Sequence, residues 1–146
     1  MQVVLAAAEH LENLSVLFDL YRVFYQQTSD LESAKKFLYK RLQNRDSVIF
    51  VVNVENNLVG FTQLYPSFSS VSMKRVWILN DLFVQEVYRN KGVARLLMEA
   101  AENYAKETKA VRIVLATQIA NTVAQKLYES RGYLKDEEFY HYTLRL

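Results

Sequence analysis

The feature that most constrains this chain is a strand that runs through a basic loop into a helix. Residues 80–84 (Asn-Asp-Leu-Phe-Val) have strand character, and the loop from Arg89 to Arg95 holds Gly92 and Ala94 among basic residues. Apolar residues from Val93 onward recur at helical spacing. The first N–H groups of a helix lack internal partners and carry partial positive charge, so they suit a phosphate. The pattern alone predicts a phosphate site of unspecified kind.

Composition narrows the class of protein. A chain of 146 residues with 51% hydrophobic content and one Pro favours a single domain over residues 1–146. The net charge of +2 and the mixing of basic with acidic residues argue against a nucleic-acid partner. The absence of Cys excludes disulfides and thiol nucleophiles. No apolar run approaches the roughly 20 residues that a bilayer span needs, so we expect no membrane partner and a cytoplasmic location.

Hydrophobic periodicity predicts an alternation of strands and helices. Helical spacing begins at Leu11, and Ser29 with Glu32 has the spacing of a capping box before a second helix. Pro66 is expected to end the third strand, and a Ser-rich loop follows it. Strands are predicted at 2–7, 48–54, 58–65, 75–84, 111–117 (buried) and 138–146, and helices at 11–25, 31–42, 93–104 and 121–131. This order implies an α/β or α+β layer fold with a mixed sheet.

Two motifs in this order resemble one enzyme family. Arg89-x-x-Gly92-x-Ala94 matches the Q/R-x-x-G-x-G/A motif of the GCN5-related N-acetyltransferase (GNAT) superfamily. The segment 121–133, N-T-V-A-Q-K-L-Y-E-S-R-G-Y, is similar to that family's N-x-x-A-x-x-L-Y-x-x-x-G-F segment. The predicted order of elements agrees with the family over nearly the whole chain.

The resemblance implies a GNAT-like mixed, mostly antiparallel sheet of six to seven strands, flanked by about four helices. The sheet is expected to splay between strands 4 and 5, where the pantetheine arm of acetyl-CoA would insert. Acetyl-CoA is therefore the predicted cofactor. The residues that would bind it are Leu82, Phe83, Val84, Arg89, Asn90, Lys91, Gly92, Val93, Ala94, Arg95, Asn121 and Tyr128.

The resemblance also suggests catalytic roles. Tyr128 matches the general acid that protonates the leaving thiolate, although a Tyr at this helical spacing also suits a core position. The general base is less clearly marked, because Asn80 and Ala116 stand where relatives carry Glu. Asp81 is the nearest acid to the expected splay, and it suits either a base or a structural partner. The predicted acceptor pocket, whose aromatic residues equally suit a core, comprises Tyr21, Phe24, Tyr25 and Asn80.

These features predict transfer of an acetyl group from acetyl-CoA to a primary amine of a small molecule or peptide by direct attack. Two alternatives stay open: a module of the same fold that senses acyl-CoA without turnover, and a scaffold protein. His10 and His141 lack the supporting Cys or the acidic spacing of a metal site, so no metal is expected. The resemblance also allows a homodimer.

Overall fold

The computed structural model describes residues Met1–Leu146, which form two compact units, Met1–Leu115 and Ala116–Leu146. None of the helices combines the length and the apolar character needed to cross a membrane.

A five-stranded sheet forms the centre of the first unit. The strands are β1 (Gln2–Leu5), β2 (Val48–Val54), β3 (Asn57–Ser69), β4 (Lys74–Val84) and β5 (Arg112–Leu115). They lie side by side in sequence order, antiparallel from β1 to β4, while β5 runs parallel to β4. The predicted mixed sheet is confirmed, but the predicted six to seven strands are not, because the sheet has five.

Four α-helices accompany the strands: α1 (Leu11–Phe24), α2 (Leu31–Asn44), α3 (Val93–Glu107) and, in the second unit, α4 (Thr122–Ser130). The predicted capping role of Ser29 is wrong. Asp30 caps α2 by accepting the Ser33 N–H at 3.1 Å, whereas the Ser29 hydroxyl donates to Asp19 at 2.6 Å. The carboxylate of Asp19, near the end of α1, therefore holds the start of α2.

The two faces of the sheet bury different helices. Alternate residues of a strand point to opposite faces, so β2 directs Val51 toward α1 and α2 and Val52 toward α3. Phe61 and Phe83 extend the first cluster, which contains buried residues of α1 and α2. The core of this unit is thus two apolar layers separated by the sheet.

Strand β3 is longer than predicted because it continues through Pro66 to Ser69. Pro66 lies opposite Trp77 of β4, but the pairing of β3 with β2 ends at Leu64 and Val48. Beyond Leu64, β3 therefore has a free edge, where a residue without an N–H group removes no ladder hydrogen bond.

The Ala116–Leu146 unit contains α4 and a segment without regular structure. Asn121 caps α4 by accepting the Ala124 N–H at 3.1 Å, and Gly132, at a φ of 92°, follows the end of the helix. The predicted strand over 138–146 is wrong. Alternating side chains do not make a strand unless a neighbour accepts the backbone hydrogen bonds, and these residues pair with no strand of the sheet. Instead, Asp136 accepts the N–H groups of Glu138 and Phe139.

Strand β5 is shorter than the predicted 111–117, and its side chains alternate between exposed and half-buried rather than being buried. As the last strand in the sheet order, it is covered on one edge only, by β4. An edge position explains why an apolar run did not become a buried strand.

Candidate active site

The site is built around a bulge in β4 at Asn80. Gln63 pairs with Asp81 and Leu64 pairs with Leu79, so Asn80 is an extra residue without a partner on β3. One extra residue reverses which face the following side chains reach. Trp77 packs on Tyr104 of α3 with ring centroids 5.3 Å apart, whereas Asp81, four positions later, bonds to α1 on the other face.

The pairing of β4 with β5 ends one residue before the bulge. Their parallel pairing runs from Val76 with Arg112 to Leu79 with Leu115 and ends there. Residues 80–84 continue β4 with β3 as the only paired neighbour. The splay between the fourth and fifth strands stays a prediction, because β5 itself ends at Leu115; residues Leu82, Phe83 and Val84 lie on the part of β4 beyond its last pair with β5.

Asp81 lies at the centre of a buried hydrogen-bond network. Asp81 is only 6% exposed. One carboxylate oxygen accepts from the Tyr21 hydroxyl at 2.7 Å and from the Asn80 amide at 3.1 Å, and the other accepts from Gln63 at 2.8 Å. The Ser47 hydroxyl donates to Gln63 at 2.9 Å. Both oxygens of this buried carboxylate therefore have hydrogen-bond donors.

Tyr21 connects this network to an aromatic cluster. Its ring meets Phe61 and Phe83 edge-on at 5.4 and 5.8 Å, and Tyr25 at 5.1 Å. Burial, together with the negative charge of Asp81, raises the pKa of the Tyr21 phenol. Phe24 and Tyr25 border the cluster with 50% and 36% of their surfaces exposed. Of the predicted acceptor residues, Tyr21 is thus half-buried against the core and has a polar contact, while Phe24 and Tyr25 reach the surface.

The predicted phosphate loop opens α3 at Gly92. Gly92 has a φ of 84°, a conformation that favours glycine, and a Cβ there would meet no atom within 4 Å. The N–H of Leu96 donates to the Gly92 carbonyl at 3.1 Å, so the amides of Val93 and Ala94 precede the first helical hydrogen bond. No side chain caps this end. The loop therefore presents amides to open space, as a phosphate site requires.

The basic side chains of the loop take different positions. Arg89 donates through Nε to the Val84 carbonyl at 2.8 Å, and its guanidinium lies over the rings of Phe24 and Phe83 at 5.2 and 5.5 Å. Lys91 lies over the Tyr88 ring at 5.6 Å. Arg95 pairs with Glu99 on the exposed face of α3 at 3.2 Å. Arg89 thus ties the end of β4 to α1 in addition to bordering the loop.

Gly60 supports the loop, and the sequence analysis did not single it out. A Cβ at Gly60 would lie 2.9 Å from a methyl group of Val93 and 3.1 Å from the Phe83 carbonyl. Only glycine lets the start of α3 approach β3 this closely. A glycine inside an otherwise apolar strand pattern is the signal that would have found it.

The second motif lies on α4, in the Ala116–Leu146 unit. Asn121 uses its side chain as the helix cap, and the ring of Tyr128, two residues before the end of α4, lies near the Tyr133 ring with centroids 6.2 Å apart. The two histidines have local partners: His10 accepts the Ala7 N–H at 2.9 Å, and His141 lies 3.3 Å from Asp136.

Comparison with known proteins identifies the family. The model of the Acetyltransferase (GNAT) family matches residues 14–133, which include both motifs and strand β5 between them. The chain belongs to this family. It is therefore an acetyltransferase of the GNAT fold, as the sequence motifs predicted.

Individual relatives agree with this assignment. The chain is 48% identical to an uncharacterized N-acetyltransferase, YhfO, of Bacillus subtilis (strain 168), over 91% of this chain and 89% of the relative. The crystal structure of a probable acetyltransferase is 50% identical and covers 100% of this chain and 98% of that chain, with a TM-score of 0.96. An aminoglycoside N-acetyltransferase in complex with CoA shares the fold at 20% identity and a TM-score of 0.82, over 99% of this chain and 95% of that chain.

Proposed function

We propose that this acetyltransferase uses acetyl-CoA and transfers its acetyl group to a primary amine of a small molecule or peptide by direct attack. The observation that carries the proposal is that two features of the first unit, the end of β4 and the start of α3, follow each other along the chain. Strand β4 continues to Val84, beyond its last pair with β5, and the amides at Gly92 begin α3 eight residues after the end of β4. A ligand with an extended amide arm joined to a pyrophosphate fits both.

Two sets of backbone groups would hold the cofactor. The side of β4 that faces away from β3 would offer N–H and C=O groups of Leu82, Phe83 and Val84 to the pantetheine arm, in the manner of an added strand, apart from the Val84 carbonyl, which already accepts from Arg89. The amides from Lys91 to Ala94 offer donors to the pyrophosphate, near the basic side chains of the loop. Acetyl-CoA supplies an acetyl thioester. A backbone N–H near Phe83 or Val84 would stabilise charge on the carbonyl oxygen by about 3 kcal/mol.

We assign the general acid to Tyr128. A phenol with a pKa of about 10 can protonate a thiolate whose conjugate thiol has a pKa of about 8.5, once the two are held together. The motif that Asn121 and Tyr128 share with the family supports this assignment, because Asn121 fixes the start of the helix that carries Tyr128. The Tyr128 hydroxyl would donate its proton to the departing sulfur.

For Asp81, the contacts favour a positioning role over the predicted role of general base. Its carboxylate already accepts from Tyr21, Asn80 and Gln63, and taking a proton would weaken all three hydrogen bonds. We propose that Asp81 fixes the bulge and thereby the free stretch of β4. The acceptor would then meet the exposed rings of Phe24 and Tyr25, whose apolar surface favours the neutral form of an amine.

The test is thiol release from acetyl-CoA with a panel of small amines and peptides, between about pH 6 and pH 9. We expect release that depends on the amine. Tyr128→Phe should lower kcat by about 10²-fold with little change in cofactor affinity. Tyr140→Phe, a change in a ring that is 89% exposed, is the matched control and should keep full turnover.

Two other outcomes separate the alternatives. Unchanged turnover in Tyr128→Phe would remove Tyr128 as the acid and leave the proposed reaction intact. Tight binding of acetyl-CoA with no thiol release for any amine would refute amine acetylation and favour the sensing module.

A further inference from the structure

The side chain of Arg89 leaves the predicted phosphate loop and contacts the ends of β4 and α1. Its Nε donates to the Val84 carbonyl at 2.8 Å. Its guanidinium lies over the rings of Phe24 and Phe83, 5.2 and 5.5 Å from their centroids. Phe24 is one of the predicted acceptor residues, and the thioester is expected beside the backbone of Phe83. Arg89 therefore borders the proposed place of reaction.

Most N–H donors of the Arg89 guanidinium have no partner within the Met1–Leu115 unit. The Nε donor is used by Val84, while neither terminal nitrogen donates to a protein group there. Arg89 also forms no ion pair in this unit, and it is exposed. A guanidinium stacked on a ring keeps the donors along its edge available, so these donors can reach a ligand.

The acidic residues close to Arg89 do not neutralise its charge. Asp81, beside the same aromatic cluster, already receives hydrogen bonds on both carboxylate oxygens from other side chains. Glu86 contacts Arg89 through its backbone carbonyl, which accepts the Arg89 N–H at 3.2 Å. The acceptor pocket therefore has a positive charge at its border and no carboxylate paired with that charge.

This charge favours some amines over others. An acceptor with a second cation, such as a polyamine, would be repelled by Arg89, and the guanidinium already covers the rings of Phe24 and Phe83 that could attract a cation. A carboxylate would instead receive paired, charge-assisted hydrogen bonds from the edge of the guanidinium. The border of the pocket thus suits an acceptor that carries a negative charge.

We propose that Arg89 determines acceptor specificity and that the acceptor is a free amino acid, whose carboxylate binds the guanidinium. The proposal rests on the proposed function and narrows its acceptor. Phe83 sets the distance, because its ring contacts Arg89 while its backbone lies where the thioester is expected. The amine and the carboxylate must therefore be a few bonds apart, which excludes the remote carboxylate of a peptide. The amine nitrogen bonds to the acetyl carbon and gives up a proton, the carbon–sulfur bond breaks, and the thiolate takes a proton.

The first experiment compares free amino acids that have small, apolar and polar side chains with their primary amides, using acetyl-CoA as donor. The amine of an amide has the lower pKa, so the supply of neutral amine favours the amide. A preference for the amino acid must then come from the carboxylate. We expect kcat/KM for an amino acid to exceed that for its amide by about 10-fold or more.

Two variants separate Arg89 from the rest of the loop. Arg89→Gln should abolish the preference, with kcat/KM for the amino acid reduced by about 10- to 10²-fold, while affinity for acetyl-CoA and kcat/KM for the amide change little. Lys91→Gln, the same change of charge at a side chain that lies over Tyr88 instead, is the matched control. It should weaken acetyl-CoA binding and keep the preference. Circular dichroism checks that both variants fold.

Calorimetry of binding without turnover keeps this proposal apart from the proposed reaction. The same amino acids and amides are titrated into protein saturated with CoA. Tighter binding of amino acids in wild type but not in Arg89→Gln would support the carboxylate site even if no acetyl transfer occurs, a result that would refute the reaction alone. Equal kcat/KM and equal affinity for amino acids and amides would overturn the proposal and leave amine acetylation standing. Loss of acetyl-CoA affinity in Arg89→Gln with an unchanged preference would assign Arg89 to the phosphates and overturn it as well.

Discussion

The hydrogen bond between Tyr21 and Asp81 gives the sharpest stability prediction. Tyr21→Phe removes one donor from the buried carboxylate and keeps the ring that packs on Phe61 and Phe83. A hydrogen bond to a charged group contributes about 1.5 to 3 kcal/mol. Because Gln63 and Asn80 still donate to Asp81, we expect a loss near the lower end, about 2 kcal/mol in the free energy of unfolding.

Urea unfolding measures this loss. An unchanged slope of the unfolding free energy against urea concentration shows that wild type and variant unfold in the same manner. Tyr25→Phe removes a hydroxyl from the adjoining ring and is the matched control, for which we expect a change within about 0.5 kcal/mol. Combining Tyr21→Phe with Asp81→Asn should give less than the sum of the two separate losses, because the pair shares one contact. Equal stability of Tyr21→Phe and Tyr25→Phe would refute the role given to this hydrogen bond.

Three further predictions concern other parts of the chain. Gly60→Ala should cost about 1 to 3 kcal/mol in unfolding free energy and weaken acetyl-CoA binding, because its Cβ pushes on Val93; calorimetry that finds normal binding would contradict this. Asn121→Ala removes the cap of α4 and should cost about 1 kcal/mol by thermal unfolding, and an unchanged melting temperature would contradict the capping role. Burial raises the pKa of Tyr65 to about 12, so the folded state favours the neutral phenol. The stability that this contributes is fully present below about pH 10, the pKa of Tyr in the unfolded chain, and is lost as the pH rises from there to about 12. Tyr65→Phe should flatten this alkaline fall in urea unfolding, and an unchanged fall would exclude Tyr65 as its source.

The sequence predicted the loop at Gly92 because the physical requirement there is local. A positive φ at the start of a helix needs glycine, and the apolar residues after it repeat at helical spacing. The order of strands and helices up to β5 followed from the same periodicity. The residue pattern and the structure agree best where an element, such as a helix, forms its backbone hydrogen bonds within itself.

The bulge at Asn80 and the network around Asp81 could not be predicted in this way. A bulge depends on the register between two strands, and nothing in the residue type of Asn80 marks it as the extra one. The donors to Asp81 come from Tyr21, Gln63 and Asn80, which lie on three different elements. The segment 138–146 shows the opposite case, in which a strand-like pattern lacks a neighbouring strand to pair with.

Titration of the protein with acetyl-CoA by calorimetry tests the central claim most directly, namely that the loop at Gly92 holds the cofactor. Wild type should bind one acetyl-CoA for each chain. Gly92→Glu should weaken binding by at least about 10²-fold, because a carboxylate would face the phosphates. Gly132→Glu is the matched control: Gly132 has a similar φ of 92° and equally open space, and its variant should bind as wild type does. Equal affinity of the two variants for acetyl-CoA would contradict the assignment of the loop.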